Sequence, residues 1–173
     1  MLMLNDEVNI LRQVPLFASI DPSRLKKLAF SSHRQHFVAG EELFHQGDDA
    51  DHAYIIITGN ASVLTDGPNG PTRIAEIPAG NIVGEIALLC GGSRRATVQA
   101  LDAMDVLAID NKCFMRMLSE DSTACANIMR VLAERLADTT ADLIAARAEL
   151  ANDTVLYPNG LAPAKCDGQV GGL

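Results

Sequence analysis

The sequence predicts a mainly β protein of the sandwich or barrel type, with helices before and after the β part. Three observations carry this. From His33 to about Asp110, short β-rich runs are separated by turn signals every several residues. One of these runs, HAYIIIT, is continuously apolar, as a central strand buried on both faces must be. From about Asp121 to about Ala151 the chain has no Gly or Pro and is rich in Ala, Leu, Arg and Glu, the composition of a long helix.

Composition narrows the function. The 173 residues suffice for one domain with a sizeable core and some flanking helix. Aromatics make up 4% and Trp is absent, so the core must be aliphatic. The formal net charge is -8 at pH 7. A duplex-binding surface needs a basic face to displace counterions, and this composition argues against nucleic acid as a partner. It leaves a small anionic ligand open, because a buried site can reverse the local field. Asp6 and Glu7 stand where a signal peptide carries Lys or Arg, and no apolar run approaches membrane-spanning length. Cys90, Cys113, Cys125 and Cys166 make no CxxC pair. Neither a disulfide nor a metal site is expected, and a cytoplasmic protein is.

The elements follow in order. LRQVPLF, residues 11–17, is a short apolar segment, and Asp21-Pro22 opens a helix as N-cap and first helical residue, with Leu25, Leu28 and Ala29 on its apolar face. The β part is punctuated at Gly40, Gly47, Gly59, Asp66–Pro71 and Gly80, leaving HAYIIIT, ASVLT, RIAEI, ATVQAL and DVLAI as strands. Asn111 to Leu118 reads as a short helix with Phe114, Met115 and Leu118 turned inward. The long helix, at ~1.5 Å per residue, is longer than a barrel it could pack on, so its second half needs another partner. The final segment is rich in Gly and Pro, without period, and is expected to be disordered. The expected domains are residues 1–32, an N-terminal helical segment, 33–110, the β part, 111–151, the C-terminal helices, and 152–173, the tail.

The chemistry concentrates in GNIVGEIALLCGGSRRATVQA, residues 80–100. It reads as a turn, one helical turn over IALLC, a Gly-rich loop and a returning strand. Backbone N–H groups at the start of a short helix attract an anion, and a following Arg supplies a bidentate clamp. A carboxylate beside a phosphate is repelled unless it accepts from a sugar hydroxyl. Glu85 before the turn and Arg94 after it fit that division. Singly, each has a plainer reading, a charge at a helix N-terminus and a solvated loop cation. Together they supply both halves of a sugar-phosphate site.

Val83-Gly84-Glu85-Ile86-Ala87-Leu88-Leu89 followed by Arg94-Arg95-Ala96-Thr97-Val98 closely resembles the phosphate-binding cassette of the cyclic-nucleotide-binding family. Gly40-Glu41, Gly47-Asp48, Tyr54-Ile55-Ile56 and Gly59 match at the spacing of that family's early strands. The resemblance spans about Leu11 to Leu150. It implies a β-roll (a jelly-roll-like double-stranded β-helix) followed by a long C-terminal helix, with a cyclic nucleotide as ligand and no catalysis. Glu85 matches the glutamate that accepts from the ribose 2′-hydroxyl. Gly84, Ile86 and Ala87 match positions whose backbone approaches ribose and phosphate. Arg94 matches the phosphate-binding arginine, with Arg95 a rival one position on, and Ala96 and Thr97 follow as in the family. A Thr in place of Arg95 accompanies cGMP preference in relatives, so its absence leans toward cAMP and keeps cGMP as an alternative.

On the long helix Leu132, Leu136, Thr139, Leu143, Ala146 and Leu150 are spaced 4, 3, 4, 3, 4, the seam of a two-stranded coiled coil, and predict a homodimer. ERLADTT resembles the dimerisation helix of transcription-factor relatives, which implies that Thr139 meets the base within its own subunit and Thr140 reaches across. Those relatives carry a helix-turn-helix after this helix and this sequence does not, so DNA binding is not expected, and the output stays open between a sensor acting alone, a protein partner regulated in trans and the sensor part of a longer protein. Two other readings stand beside the sensor. One is a ligand-independent dimeric interaction module on the same fold. The other is a metal-dependent barrel enzyme using His33, His36, His45 and His52, which lack the close pairing that facing ligands need. Cys90 is expected to be buried packing.

Overall fold

The computed structural model describes residues 2–68 and 70–156, with side chains for residues 5–68 and 70–150. Three helical pieces come first: α1 (Leu2–Gln13), a 3-10 turn (Pro15–Phe17) and α2 (Pro22–Ser31). Asp21 caps α2 by accepting from the Ser23 N–H at 2.8 Å, with Pro22 where no N–H is needed. The β part holds β1 (His33–Phe37), β2 (Glu42–Phe44), β3 (His52–Thr58), β4 (Asn60–Gly67), β5 (Gly70–Pro78), β6 (Ile82–Val83), β7 (Thr97–Ala100) and β8 (Met104–Asp110). The helical turn α3 (Glu85–Cys90) interrupts it, and α4 (Asn111–Glu120) and α5 (Ser122–Leu156) follow.

The strands form two four-stranded antiparallel sheets, in the orders β1-β8-β3-β6 and β2-β7-β4-β5. This is the expected β-roll. Between the sheets lies a core of small and aliphatic side chains, with Ile56, Val83, Val98, Met104, Val106 and Ala108 at its centre. Neighbouring positions on β3 and β8, Ile55, Leu107 and Ile109, point the other way and are fully buried too. α2 and α4 pack on β8 from that side, and Phe17 meets the Phe114 ring edge-on at 6.2 Å. One sheet is thus covered on both faces, which is why HAYIIIT lacks polar alternation. β5 is the long exposed edge of the other sheet, and prolines stand at both of its ends, Pro71 and Pro78.

Several local expectations change. α1, β1, β2 and β6 were not singled out as separate elements. Met115 was expected inward but is 40% exposed, and Met117 takes the buried place beside Phe114. The i+3 position follows Phe114 onto the core face, and i+1 cannot. Cys90 is exposed rather than packed, because α3 ends in the left-handed Gly91 at the surface. The helix expected to end near Ala151 continues to Leu156, and the disordered tail expected from there on lies, from residue 157, outside the described residues.

The chain divides into two compact units, Met1–Val131 and Leu132–Leu173. α5 begins in the first, where Ala124, Asn127, Ile128 and Val131 are buried and the Asn127 amide donates to the Leu16 carbonyl at 3.1 Å. In the second unit it presents Leu136, Leu143, Ile144 and Leu150, all more than half exposed.

Candidate functional site

The site is built where two loops close on each other. The Gly47 N–H donates to the Arg94 carbonyl at 2.9 Å, the Arg94 N–H to the Asp48 carbonyl at 2.8 Å, and Asp49 bridges to Ser93. The Thr97 hydroxyl accepts from the Gln46 N–H at 2.9 Å and is itself buried. These bonds fix the backbone on either side of Arg94 against the start of β3.

Gly84 precedes α3 with φ +82°, a left-handed conformation that L side chains rarely adopt. A Cβ there would lie 2.6 Å from Arg94 Nη1 and 3.2 Å from Phe44 Cε1. Only glycine leaves room for the guanidinium. Arg94 Nη1 donates to the Gly84 carbonyl at 3.2 Å and Nη2 to the His52 carbonyl at 2.7 Å. The guanidinium carbon sits 4.1 Å over the Phe44 ring.

Arg94 is 2% exposed, and its Nε is buried without a hydrogen-bond partner among the described residues. Its carboxylate partner is Asp51, at 3.4 Å from Nη2, but that side chain is 71% exposed and the pair is correspondingly screened. Burial pushes the Arg94 guanidinium down from its ordinary value, against the pull of Tyr54, Asp51 and Asp48. Burial also acts to raise Asp51, yet the His52 hydrogen bond and the charges of His52 and Arg94 outweigh it and hold this carboxyl below its ordinary value. Tyr54 is raised, by burial first and then by Asp51. The site is a desolvated cation whose charge two carbonyls and one solvated carboxylate meet incompletely.

Arg94, Arg95 and Ala87 line a cleft of about 570 Å³, together with Gln46, Cys90 and the glycines between. Gly84, Glu85, Ile86, Ala96 and Thr97 do not line it in this conformation. Glu85 opens α3 and is 3% exposed, Ile86 is half exposed, and Ala96 is half-buried. Of the two arginines, Arg94 is inside and Arg95 is exposed. Thr139 and Thr140 lie in the second unit, where each hydroxyl donates to the carbonyl four residues back, Arg135 at 2.8 Å and Leu136 at 2.7 Å. Asp51, His52, Phe44 and Tyr54 were not assigned to the site from sequence. Asp51 and His52 mark themselves only as polar residues at the mouth of a buried strand. Among the described residues no group of three or more His, Cys, Asp or Glu could hold a metal ion, and no helix is long and apolar enough to cross a membrane.

A β-roll with a glycine-capped helical turn facing a buried, under-compensated guanidinium defines a binding domain for a small anionic ligand. The family is specific: the chain belongs to the cyclic nucleotide-binding domain family, whose model matches residues 34–121, half of the chain. It is 33% identical over 131 residues to an uncharacterised NTE family protein of Mycobacterium tuberculosis, covering 76% of this chain and 22% of that protein. It is 32% identical over 109 residues to a cAMP-dependent protein kinase regulatory subunit of Blastocladiella emersonii, covering 62% and 27%. The structure of a cyclic nucleotide-binding-like protein from Brucella abortus superposes with a TM-score of 0.58 at 38% identity, covering 66% of this chain and 98% of that one. The chain therefore spans about a quarter of the curated relatives it matches.

Proposed function

We propose that this chain is a cAMP-binding sensor domain, in which the ligand's phosphate completes the charge environment of Arg94. The observation that carries the reading is the buried guanidinium with its unpartnered Nε beside the glycine-capped turn. A phosphate oxygen supplies what Nε lacks, and the N–H groups opening α3 add further donors. Glu85, buried at the first position of that turn, is the group for the ribose 2′-hydroxyl, with the backbone of Gly84, Ile86 and Ala87 alongside. Arg95, Ala96 and Thr97 complete the cassette, Arg95 at its solvent side. The absence of a Thr at position 95 supports cAMP over cGMP.

Glu85 does not line the open cleft, and in this reading the ligand moves the turn or the guanidinium to reach both groups. α3 packs against α4, and a shift of Leu88 and Leu89 is thereby passed to the C-terminal helices. The ligand drives this only as far as it binds the shifted state better. In the same reading Thr139 meets the base, Thr140 acts across a homodimer formed by the α5 seam, and the output is a partner protein controlled in trans. Binding, without catalysis by this span, is the activity. The four cysteines, scattered and without a CxxC pair, support a reducing, cytoplasmic setting.

Calorimetric titration with cAMP and, in parallel, cGMP tests the reading. The expected result is cAMP binding at micromolar Kd or tighter, roughly -8 kcal/mol or better. A preference for cGMP overturns the use of Arg95. Silence with both, from folded protein free of carried-over ligand, overturns the sensor and favours a ligand-independent interaction module.

A further inference from the structure

Away from the cassette, α2 and α4 lie side by side on the outer face of the roll and leave a groove of about 460 Å³ between them. Its floor is apolar, with Leu28 and Met117 at 2% and 7% exposure and Cys113 half-buried. Phe30 stands at its edge at 83% exposure, the most exposed large apolar side chain among the described residues. The spacing explains the construction. Leu28 on α2, and Cys113 and Met117 on α4, lie on the facing sides of the two helices at helical periodicity.

The rim is basic. Arg24, Lys26 and Lys27 line it from α2, and Arg116 lines it from α4 against the single carboxylate Glu120. Four cations and one anion around the groove stand against a chain of net charge -8. Arg24 is already engaged: its Nε pairs with Asp121 at 3.3 Å and its Nη1 donates to the Glu120 carbonyl at 2.7 Å, which ties α2 to the end of α4. Lys26, Lys27 and Arg116, by contrast, pair with no carboxylate of the described residues. An exposed Phe flanked by unpaired lysines above an apolar floor is an arrangement that folding alone does not require.

We propose that this groove docks an acidic, amphipathic helical segment of a partner protein. Apolar side chains of the segment enter over Leu28 and Met117 and against Phe30, and its carboxylates meet Lys26, Lys27 and Arg116. Charge complementarity selects the acid. The walls select the helix, because neither α2 nor α4 offers a free strand edge for an extended peptide to extend. A membrane surface or nucleic acid would meet the lysines but could not reach a floor recessed between two helices, and the flanking carboxylates Glu120 and Asp121 oppose both. The groove is independent of the nucleotide reading, since it uses no residue of the cassette.

The test uses the whole chain and fluorescence anisotropy with three labelled synthetic helices of equal length. One has Glu on the polar face and Leu at i, i+3, i+4 and i+7, the second replaces Glu by Lys, and the third replaces Leu by Ser. The acidic amphipathic helix should bind at micromolar Kd, about ten-fold or more tighter than either control, and weaken as salt is raised. Lys26→Glu with Lys27→Glu should cost about ten-fold, and Phe30→Ser, a change at an exposed position that leaves the thermal unfolding midpoint in place, should weaken binding several-fold. The proposal is overturned if the acidic helix does not saturate below about 1 mM, or if the Lys helix binds as well. It is equally overturned if both variants bind unchanged, or if phosphatidylserine vesicles or duplex DNA bind in place of the peptide with equal dependence on Lys26 and Lys27.

Discussion

A guanidinium taken out of water costs several kcal/mol unless its charge and all its N–H groups are met, and at Arg94 they are not. The site therefore carries a local penalty, which under the proposed reading a bound phosphate removes. This yields an asymmetric prediction. Arg94→Met keeps volume and apolar contact with Phe44 and removes the buried charge, which offsets the donor lost to the Gly84 and His52 carbonyls, so the ligand-free protein should unfold near the wild-type temperature. Its cAMP affinity should nevertheless fall by about 2–5 kcal/mol, the scale of a lost desolvated charge pair. Calorimetry and thermal unfolding on the same sample separate the two effects, and a variant that melts early yet binds normally would sink the clamp assignment. At this scale the motif order matched Arg94, with Arg95 as rival, to the phosphate-binding arginine; the structure buries Arg94 and exposes Arg95, and the phosphate role stays a proposal. The surroundings were not legible, because Asp51, His52 and Phe44 reach Arg94 only through tertiary structure that joins positions forty-two to fifty residues apart.

Among the elements, those with strong local signals were readable. HAYIIIT, the Asp21-Pro22 helix start and the helical turn before Gly91 all announce themselves by composition or capping. β1 did not, since HRQHF buries only Phe37 and its remaining residues face solvent or the rim. β2 and β6, of three and two residues, are too short to show any period. Carboxylates hold several of these joints. Asp21 caps α2, Asp102 accepts from the Asn60 N–H at 2.8 Å and its side-chain amide at 2.9 Å across the β3–β4 turn, and Asp105 bonds His36 at 2.8 Å. Hydrogen bonds hold all three below the ordinary 3.8, led by Ser23, Asn60 and His36 respectively. Folded values below unfolded ones mean stability that is present above 3.8 and lost as pH falls through the folded values. Thermal unfolding followed from roughly pH 5 to pH 2 should show a steepening loss below 3.8, shallower in Asp102→Asn. A midpoint that stays flat across that range contradicts the assignment.

For the molecule as a whole, the second half of α5 is the feature that the first unit's burial does not explain. Leu136, Leu143 and Leu150 stay exposed at the spacing of a seam, and two threonines between them are turned onto their own backbone rather than outward. In the proposed dimer, a second copy of the chain covers this seam. Sedimentation of the wild type at micromolar concentration should give a dimer, and Leu136→Glu with Leu143→Glu a folded monomer. A monomeric wild type removes the dimer, and with it the role given to Thr140, while leaving the cassette in place.

The sheet edges have a consequence for the behaviour of the protein in bulk. β6 and β2 are too short to template another strand, and β1 carries His33, Arg34 and His36 along its length. The one long margin, β5, is bracketed by Pro71 and Pro78, which lack the N–H that a docking strand would need. Strand addition is thus disfavoured at three of these borders and at both ends of the fourth, which leaves residues 72–77 as the stretch of edge through which a concentrated stock would first associate by β pairing.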